Sequence, residues 1–431
     1  MTAELSEAGA RALDAADPLG AFRARFLLPR GADGRSRAYL AGQSLGAQPV
    51  AARAAVEARL DEWAGLGVDG WFAPDHPWLD AERELADATG RIVGAHPHEV
   101  TTANTLSVNL HLLLATFFRP KGRRTAILVD APTFPSDRYV VESQLRHHGL
   151  DPERDLIVVR PRPDEDLLRT DDLESAIHEH RERLALVLLA GVNFATGQVL
   201  DIGRLTAAIH EAGAVAAWDL AHAAGNIELD LHEDGVDIAA WCTYKYLNSG
   251  PGALAQLFIH ERYASDARTP RLAGWWGNEP STRFRMAETF QAGPGADGFR
   301  VSTPPMLSLA PIASSLAIFD EAGLPALRRK SMALTAYLET LIDTLVPDAT
   351  IVTPRDPAER GCQLSVRLPD ARRRLATLEA LDVVADFREP DIIRLAPVPL
   401  YNTFDDVSRA ASALASSAAE SASSDPTGAT S

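Results

Sequence analysis

The chain has 431 residues, of which 46% are hydrophobic and 23% charged, proportions typical of a globular protein with a substantial core. Its 42 basic and 59 acidic residues give a net charge of −17, which argues against nucleic acid or an anionic membrane as a partner, because both select a basic surface. The two cysteines form no disulfide framework, and the longest apolar run (184–192) is too short to span a bilayer. The acidic N-terminal stretch lacks an export signal, so we expect a cytoplasmic protein.

Short apolar runs alternate with helical patterns along the first three quarters of the chain, which predicts an α/β fold with a mostly parallel sheet. A helix is predicted to begin near Thr105. Strands and helices then follow in the order strand 125–130, helix 136–149, strand 184–191, helix 201–213, strand 214–219 and strand 238–242. Aspartate near the start and glycine at the end of a helical pattern are typical caps.

From about residue 316 the pattern changes to a long helix, followed by an alternating strand at 362–370 and another strand at 392–398. These elements predict a smaller α+β domain. We therefore expect four regions, namely an N-terminal helical segment that packs on the small domain (1–40), a large domain (41–315), the small domain (316–415) and a disordered Ser/Ala-rich tail (416–431).

Reactive side chains come directly after the predicted strands, where ligands bind in open parallel sheets. They are Phe134, Ser136 and Asp137 after the first strand, Asp219 and His222 after the third, and Tyr244 and Lys245 after the fourth. Pyridoxal phosphate needs an amine for a Schiff base, a carboxylate at its ring nitrogen, a flat side chain on its ring and a cradle for its phosphate. Lys245, Asp219, Phe134 or His222, and the helix start at 105–107 can supply these groups.

The chain also resembles the kynureninase family of fold-type-I pyridoxal phosphate enzymes, which lies near the class V aminotransferases. The resemblance rests on blocks in the family's order, namely YLAGQSLG (39–46), NTLSVNLH (104–111), FPSDRY (134–139), WDLAHAAGNIELDLH (218–232), WCTYKYLNSGPG (241–252), GWWG (274–277) and RLAPVPLYN (394–402). It implies a large domain with a mostly parallel seven-stranded sheet, a smaller C-terminal α+β domain, and hydrolysis of L-kynurenine to anthranilate and L-alanine. It leaves open 3-hydroxykynurenine as a further substrate, which would give the hydroxylated anthranilate and L-alanine.

The resemblance further implies roles for individual residues. Lys245 forms the Schiff base, Asp219 pairs with the ring nitrogen, and Tyr244 contacts the phosphate and transfers protons. The cofactor site is completed by His222, Leu106, Ser107, Phe134, Ser136 and Asp137, with Trp275 and Thr303 contributed across the interface of a homodimer. Arg394 holds the substrate α-carboxylate, and the aromatic ring of the substrate is bordered by His76, Ser302 and Thr303.

Other interpretations of the same residues stay open. A lysine after a strand is often a solvated charge, Arg394 could pair with an acid such as Asp391, and Ala190 and Gln43 depart from the family's usual residues. The alternative functions are a class V aminotransferase, cysteine desulfurase or lyase with the same cofactor, and a scaffold without catalytic activity. No metal is predicted, because the histidines at 96–98, 147–148 and 178–180 lack further ligands at useful spacing. Cys242 is expected to be an inert buried thiol, and Cys362 to open a strand.

Overall fold

The computed structural model describes residues 6–423 except 74, 76, 265 and 267. It divides into two compact units. The large unit takes residues 51–194 and 199–321, and the small unit takes the chain up to residue 50, residues 195–198 and the chain from 322 onward. The observed boundaries therefore follow residues 50 and 321, where the sequence predicted 40 and 315, and the short segment 195–198 was not predicted.

A seven-stranded sheet forms the centre of the large unit. Its strands in chain order are β1 (Val100–Thr102), β2 (Ala126–Asp130), β3 (Leu156–Val159), β4 (Leu184–Ala190), β5 (Val215–Asp219), β6 (Ile238–Cys242) and β7 (Ala255–Ile259). Their spatial order is β1-β7-β6-β5-β4-β2-β3. β7 runs antiparallel to both of its neighbours, whereas β2 to β6 pair in parallel. The mostly parallel sheet predicted from the sequence is confirmed, and the four predicted strands are β2, β4, β5 and β6.

Helices connect these strands. Those of the large unit are Val50–Leu66, Ala86–Val93, Leu106–Phe117, Pro135–His147, Pro152–Asp155, Thr170–His180, Ile202–Glu211, Glu261–Ala264 and Met306–Ala322. Short 3₁₀ helices occur at Gly67–Phe72, Trp78–Asp80, Arg83–Leu85, Pro97–Glu99, Trp275–Gly277, Arg283–Arg285 and Gly295–Phe299. The predicted cap is present at Asp201, whose carboxylate accepts a hydrogen bond from the backbone N–H of Arg204 at 3.0 Å.

The core of the large unit lies between the sheet and its helices. Leu110 and Leu114 of one helix and Val141 and Leu145 of the next are buried in the same cluster as strand residues such as Val129. Each fully buried side chain of this size contributes about 1.5–3 kcal/mol, so the cluster fixes both helices against the strand ends that carry the reactive residues.

The small unit contains a four-stranded antiparallel sheet with the order Thr350–Ile351, Leu364–Arg367, Ile392–Leu395, Asp386–Arg388. Its helices are Glu7–Ala15, Leu324–Leu345, Ala371–Ala380 and Phe404–Ser423, with 3₁₀ helices at Gly20–Arg25 and Pro357–Glu359. Two-residue strands pair Phe26–Leu27 with Gln48–Pro49, and Ala38–Tyr39 with Val383–Val384.

The N-terminal segment contacts the C-terminal elements of this unit. The carboxylate of Asp14 accepts hydrogen bonds from the backbone N–H groups of Phe404 and Asp405, at 2.6 and 3.0 Å, where the last helix begins. Asp17 forms a buried ion pair with Lys330 at 2.7 Å. These contacts place the first helix beside the last one.

Two expectations about helices differ from the structure. The C-terminal helix extends to Ser423, so residues 416–423 are helical where the sequence predicted disorder, and residues 424–431 lie outside the described part of the chain. The long helix expected from residue 316 is two helices, Met306–Ala322 and Leu324–Leu345, which meet at Gly323 (φ 74°). No single helix within residues 6–423 is long and apolar enough to cross a membrane, although these two pass by length and composition when taken together.

Candidate active site

Lys245 lies in a tight turn directly after β6. The turn reverses the chain into β7, and Asn248, Gly250 and Gly252 all have positive φ angles (52°, 92° and 70°), which explains the NSGPG sequence. The turn is fixed by a hydrogen bond from the backbone N–H of Asn248 to the carbonyl of Lys245 at 3.0 Å. As a result the Lys245 side chain is buried, only 8% exposed, and it lines a pocket of about 130 Å³ at the carboxyl ends of the parallel strands.

Two buried carboxylates, Asp137 and Asp219, line this pocket, and a third, Asp130, lies close to them. Asp219 ends β5 and accepts a hydrogen bond from the backbone N–H of Ala221 at 2.8 Å. Asp137 is hydrogen-bonded to Asp219, and burial together with the charges of Asp219 and Asp130 raises the pKa of Asp137 well above its ordinary value. The raised pKa favours the neutral form of Asp137 beside the Asp219 carboxylate.

Asp130 ends β2 and lies close to the pocket residue Asp137. Burial raises its pKa to about 6, although the backbone N–H of Ala190 and the side-chain amide of Asn193 each donate to it at 3.2 Å. The cluster thus combines several buried acids with the single ammonium group of Lys245 among the residues that line the pocket.

Two helix N-termini meet at the other side of the pocket. Ser107 belongs to the first turn of Leu106–Phe117, and Ser136 to the first turn of Pro135–His147. Their hydroxyl oxygens are 2.6 Å apart, and Thr105, Leu106, Ser107 and Ser136 all line the pocket. The unpaired N–H groups and positive dipole end of two helices favour an anion such as a phosphate at this position. The sequence had assigned this role to one helix start only.

Aromatic side chains cover the pocket. The Lys245 ammonium lies 5.6 Å from the centre of the Phe134 ring, and Phe134 packs edge-on against Phe194 at 5.2 Å. His222 is buried, lines the same pocket and packs edge-on against Tyr246 at 6.2 Å. Flat groups therefore border the space in front of the lysine.

Tyr244 also lines the pocket and is hydrogen-bonded to the buried thiol of Cys242. Burial, together with Cys242 and Asp219, raises the pKa of Tyr244, so its phenol keeps its proton at neutral pH. Burial raises the pKa of Cys242 as well, which agrees with the predicted inert thiol.

Some predicted site residues lie elsewhere. Trp275, Ser302 and Thr303 are exposed and are not among the residues that line the pocket. His76 lies outside the described residues.

Arg394 belongs to the small unit, where its buried guanidinium contacts the carboxylate of Asp386 at 2.8 Å and the hydroxyl of Ser44 at 3.0 Å. The alternative partner Asp391 lies near Arg367 instead, at 3.6 Å. Gln43 is buried in the same unit, and its side-chain amide has no hydrogen-bond partner among the described residues. Ala190 lines the pocket with its methyl group.

The sequence did not single out Asp130, Val192, Asn193 or Phe194 as part of the site. Val192 and Phe194 line the pocket, and Asn193 donates to Asp130. The signal that could have found Val192, Asn193 and Phe194 is the segment GVNF directly after β4, since it follows a strand end just as the recognised groups do, and Asp130 is itself the last residue of β2.

The residues present fit pyridoxal phosphate. A buried amine lies beside an aromatic ring, a buried carboxylate is available for a ring nitrogen, and two helix N-termini suit the phosphate. One carboxyl oxygen of Asp137, Oδ1, is buried without a partner among the described atoms, as expected where a further polar ligand binds.

Comparison with known proteins agrees with this chemistry. Residues 327–414 match the family model described as the kynureninase C-terminal domain. The chain is 51% identical over 412 residues to a kynureninase of Xanthomonas campestris pv. campestris (strain B100), covering 94% of this chain and 97% of that protein. It is 52% identical, over the same shares of both chains, to a kynureninase of Xanthomonas oryzae pv. oryzae (strain PXO99A).

Solved structures with a similar fold are more distant in sequence. One is a mutant of C-DES with glycine covalently linked to its PLP cofactor, with a TM-score of 0.75 and 18% identity over 88% of this chain and 96% of that one. Another is the cysteine desulfurase CsdA from Escherichia coli, with a TM-score of 0.74 and 17% identity over 93% and 98% of the two chains. At these identities the likeness concerns the fold, which is the predicted fold-type-I architecture.

Proposed function

The chain belongs to the kynureninase family, and on this premise we propose that it hydrolyses the bond between the β- and γ-carbons of L-kynurenine, releasing anthranilate and L-alanine. It is a pyridoxal phosphate-dependent hydrolase acting on a carbon–carbon bond. We propose that the reaction belongs to the degradation of tryptophan through kynurenine, that 3-hydroxykynurenine is a further substrate, and that the protein works in the cytoplasm.

The cofactor is held by groups from several strand ends. Lys245 would supply the amine that bonds the cofactor, Asp219 the partner of its ring nitrogen, and the helix starts at Ser107 and Ser136 its phosphate site. Phe134 and His222 lie at positions suited to the faces of the ring, with Leu106 and Asp137 beside them. When bound, the cofactor withdraws electrons from the substrate and stabilises negative charge on its carbon atoms.

Proton transfers are assigned to two neighbouring side chains. The amine of Lys245 lines the same pocket as Asp219 and Phe134 and would take the proton from the α-carbon of a substrate bound there. Tyr244 keeps its proton at neutral pH, so its phenol can serve as the acid at the β-carbon or the γ-carbonyl oxygen, to which water adds. Asp137 is hydrogen-bonded to Asp219 and keeps that carboxylate oriented.

Substrate recognition is assigned to groups outside the pocket. Arg394 suits the α-carboxylate, because a planar guanidinium binds carboxylates through two parallel hydrogen bonds. Asp386 and Ser44 hold this guanidinium in place. His76, Ser302 and Thr303 are proposed to border the aromatic ring of the substrate.

The observation that carries the proposal is the buried amine of Lys245 in one pocket with Asp219 and Tyr244. The test is to incubate the purified holoenzyme with L-kynurenine and follow the fluorescence of anthranilate, with one alanine formed per anthranilate. Lys245→Ala should abolish turnover and the borohydride-reducible absorbance of the cofactor. Wild-type protein that is silent with both kynurenine and 3-hydroxykynurenine would refute the assignment.

We also propose that the enzyme is a homodimer whose partner supplies Trp275 and Thr303 to each site. An exposed aromatic patch supports this. Phe72, Trp275 and Phe284 are 60%, 51% and 47% exposed, and their rings contact one another at 5.4 and 5.5 Å through Phe284. A contiguous apolar patch of this kind is typical of a protein–protein interface.

Complementation between two inactive variants tests the shared site. If Trp275 acts across the interface, each active site combines Lys245 of one protomer with Trp275 of the other. Trp275→Ala and Lys245→Ala then remove groups that different protomers contribute to the same site. Mixing the two variants under exchange conditions should then restore about a quarter of wild-type activity, because half of the dimers contain one intact site. No recovery, with subunit exchange verified by mass-tagged protomers, would place Trp275 in the same protomer as Lys245 or outside the site.

The desulfurase alternative requires an accessible thiol. Cys362 is fully buried and lies two residues before the strand Leu364–Arg367, and Cys242 is buried within β6. These positions do not favour a persulfide-carrying cysteine.

A further inference from the structure

Four histidines gather at the opposite edge of the large sheet from Lys245. His96 and His98 precede β1, His232 lies in the segment that leads to β6, and His260 follows β7. β1 and β6 run in the same direction and β7 runs against them, so all four positions belong to the amino-terminal edge of the parallel strands. The pocket with Lys245 lies at the carboxyl edge, and this cluster is therefore separate from it.

The histidines surround one buried carboxylate, Glu99. Nδ1 of His232 lies 3.0 Å from both carboxyl oxygens of Glu99, and His260 approaches within 3.6 Å. The His96 ring packs against the His232 ring with centroids 4.2 Å apart. One ligand atom from each of His96, Glu99 and His232 lies within 4.8 Å of the other two.

Glu99 is held rigidly as an acceptor. Its oxygens accept hydrogen bonds from the backbone N–H groups of His96 and Glu261, each at 2.9 Å. This fixes the carboxylate from two segments of chain that are far apart in sequence. A metal ligand held by such additional hydrogen bonds keeps its orientation when the ion binds.

The surroundings attract cations. Glu261 contacts His98 at 3.1 Å, and the charges of Glu233 and Glu261 act on His232. Arg262 also acts on His260, but its guanidinium is paired with Asp237. Acidic groups therefore outnumber basic ones around the imidazoles.

We propose that His96, His232 and Glu99 bind one divalent transition-metal ion, with Zn²⁺ as the best match. Two imidazoles and a carboxylate, with a water molecule in the fourth position, are one of the ligand sets that bind Zn²⁺ in proteins. Ligand atoms around a tetrahedral zinc ion lie roughly 3.4 Å apart, so Glu99 and His232 already have nearly the required separation. His96 is exposed and can close the remaining distance by rotation of its side chain.

The ion would connect segments that the chain keeps apart. It would link the turn before β1 to the segment before β6, more than a hundred residues later. Binding to the folded state alone stabilises it, so the expected effect is on thermal stability and not on catalysis at the distant pocket. The sequence did not predict this site, because the ligand missing from the HPH motif is supplied by His232 from a distant segment.

The test is equilibrium dialysis of the metal-stripped holoenzyme against ZnCl₂, together with thermal unfolding. Wild type should bind one Zn²⁺ with micromolar affinity, and its Tm should rise by about 3 °C at saturation. His96→Ala should weaken binding at least tenfold and remove the Tm shift. The matched control is His147→Ala, which removes another exposed histidine, at the end of Pro135–His147, and should behave as wild type.

Unchanged cofactor absorbance and an unchanged Tm in EDTA will show that His96→Ala is folded. The proposal is overturned if wild type binds no Zn²⁺ at 100 μM. It is equally overturned if all three proteins bind zinc alike, which would indicate only nonspecific surface binding. Neither result depends on kynurenine turnover, since binding and Tm are measured without substrate.

Discussion

Asp130 offers the sharpest test of the electrostatics beneath the active site. Its carboxyl group is buried and accepts hydrogen bonds from the backbone of Ala190 and from Asn193, yet its pKa is raised from 3.8 to about 6. The folded protein therefore holds this proton more tightly than the unfolded chain does. Stability contributed by the group is complete below pH 3.8 and is lost as the pH rises to about 6.

The size of this loss follows from the two pKa values. A rise from 3.8 to about 6 corresponds to about 3 kcal/mol, of which about 2 kcal/mol falls between pH 4.5 and 7. Asp130→Asn is nearly isosteric and stays neutral, so it escapes this loss. The free energy of unfolding of the apo-protein, from urea titrations, should therefore favour the variant over wild type by about 2 kcal/mol more at pH 7 than at pH 4.5.

The control is Asp164→Asn, at an exposed position whose φ of 66° asparagine tolerates well. It removes the same charge from the chain without touching the buried cluster. Parallel pH profiles for wild type and Asp130→Asn would refute the reasoning, because they would show that Asp130 is ionised in the folded protein as readily as in the unfolded chain.

Three further substitutions test the site itself. Tyr244→Phe should lower kcat for kynurenine at least 100-fold, because it removes a phenol whose raised pKa keeps it protonated. A loss of less than threefold in an anthranilate assay would exclude Tyr244 as the acid. Ser136→Ala should raise the Kd for pyridoxal phosphate about fivefold, because it deletes one of two adjoining hydroxyls. If fluorescence titration of the apo-variant gives the wild-type Kd, the assignment of the phosphate site is contradicted. Arg394→Lys should raise KM about tenfold or more with little change in kcat, and an unchanged KM in a variant with wild-type circular dichroism would remove Arg394 from substrate binding.

The sequence was sufficient for the fold and for the groups that follow each strand. Short apolar runs such as LALVLLA, bounded by turn residues, favour buried strands over helices, and parallel strands have their carboxyl ends at one edge of the sheet. The sequence therefore predicts that Lys245, Asp219 and Phe134 lie close together. Three strands were missed. β1 and β3 have three and four residues, which carry too little periodicity to be distinguished from loops, and the five residues of β7 were not singled out as a strand.

The sequence alone did not show which side chains pair with one another. Arg394 lies directly opposite Asp386 on the neighbouring antiparallel strand, so the register of that pair decides its partner, and Asp391, though nearer in sequence, lies elsewhere. The C-terminal helix shows a similar limit. Its Ser/Ala-rich composition suggested disorder, but alanine favours helices, and Val407, Ala411 and Leu414 are buried on one face against the small unit.

The contrast between the two edges of the sheet has a single topological origin. The residues that follow the parallel strands form the lysine pocket, because all of these strands have their carboxyl ends at that edge of the sheet. The opposite edge of the sheet carries the residues that precede the parallel strands and those that follow the antiparallel strand β7. His96 and His232 are of the first kind and His260 is of the second, and their rings pack together there. In such a sheet a histidine and a neighbouring carboxylate, such as His96 and Glu99, can therefore gain a further metal ligand from the start of any adjacent strand, as we propose for His232.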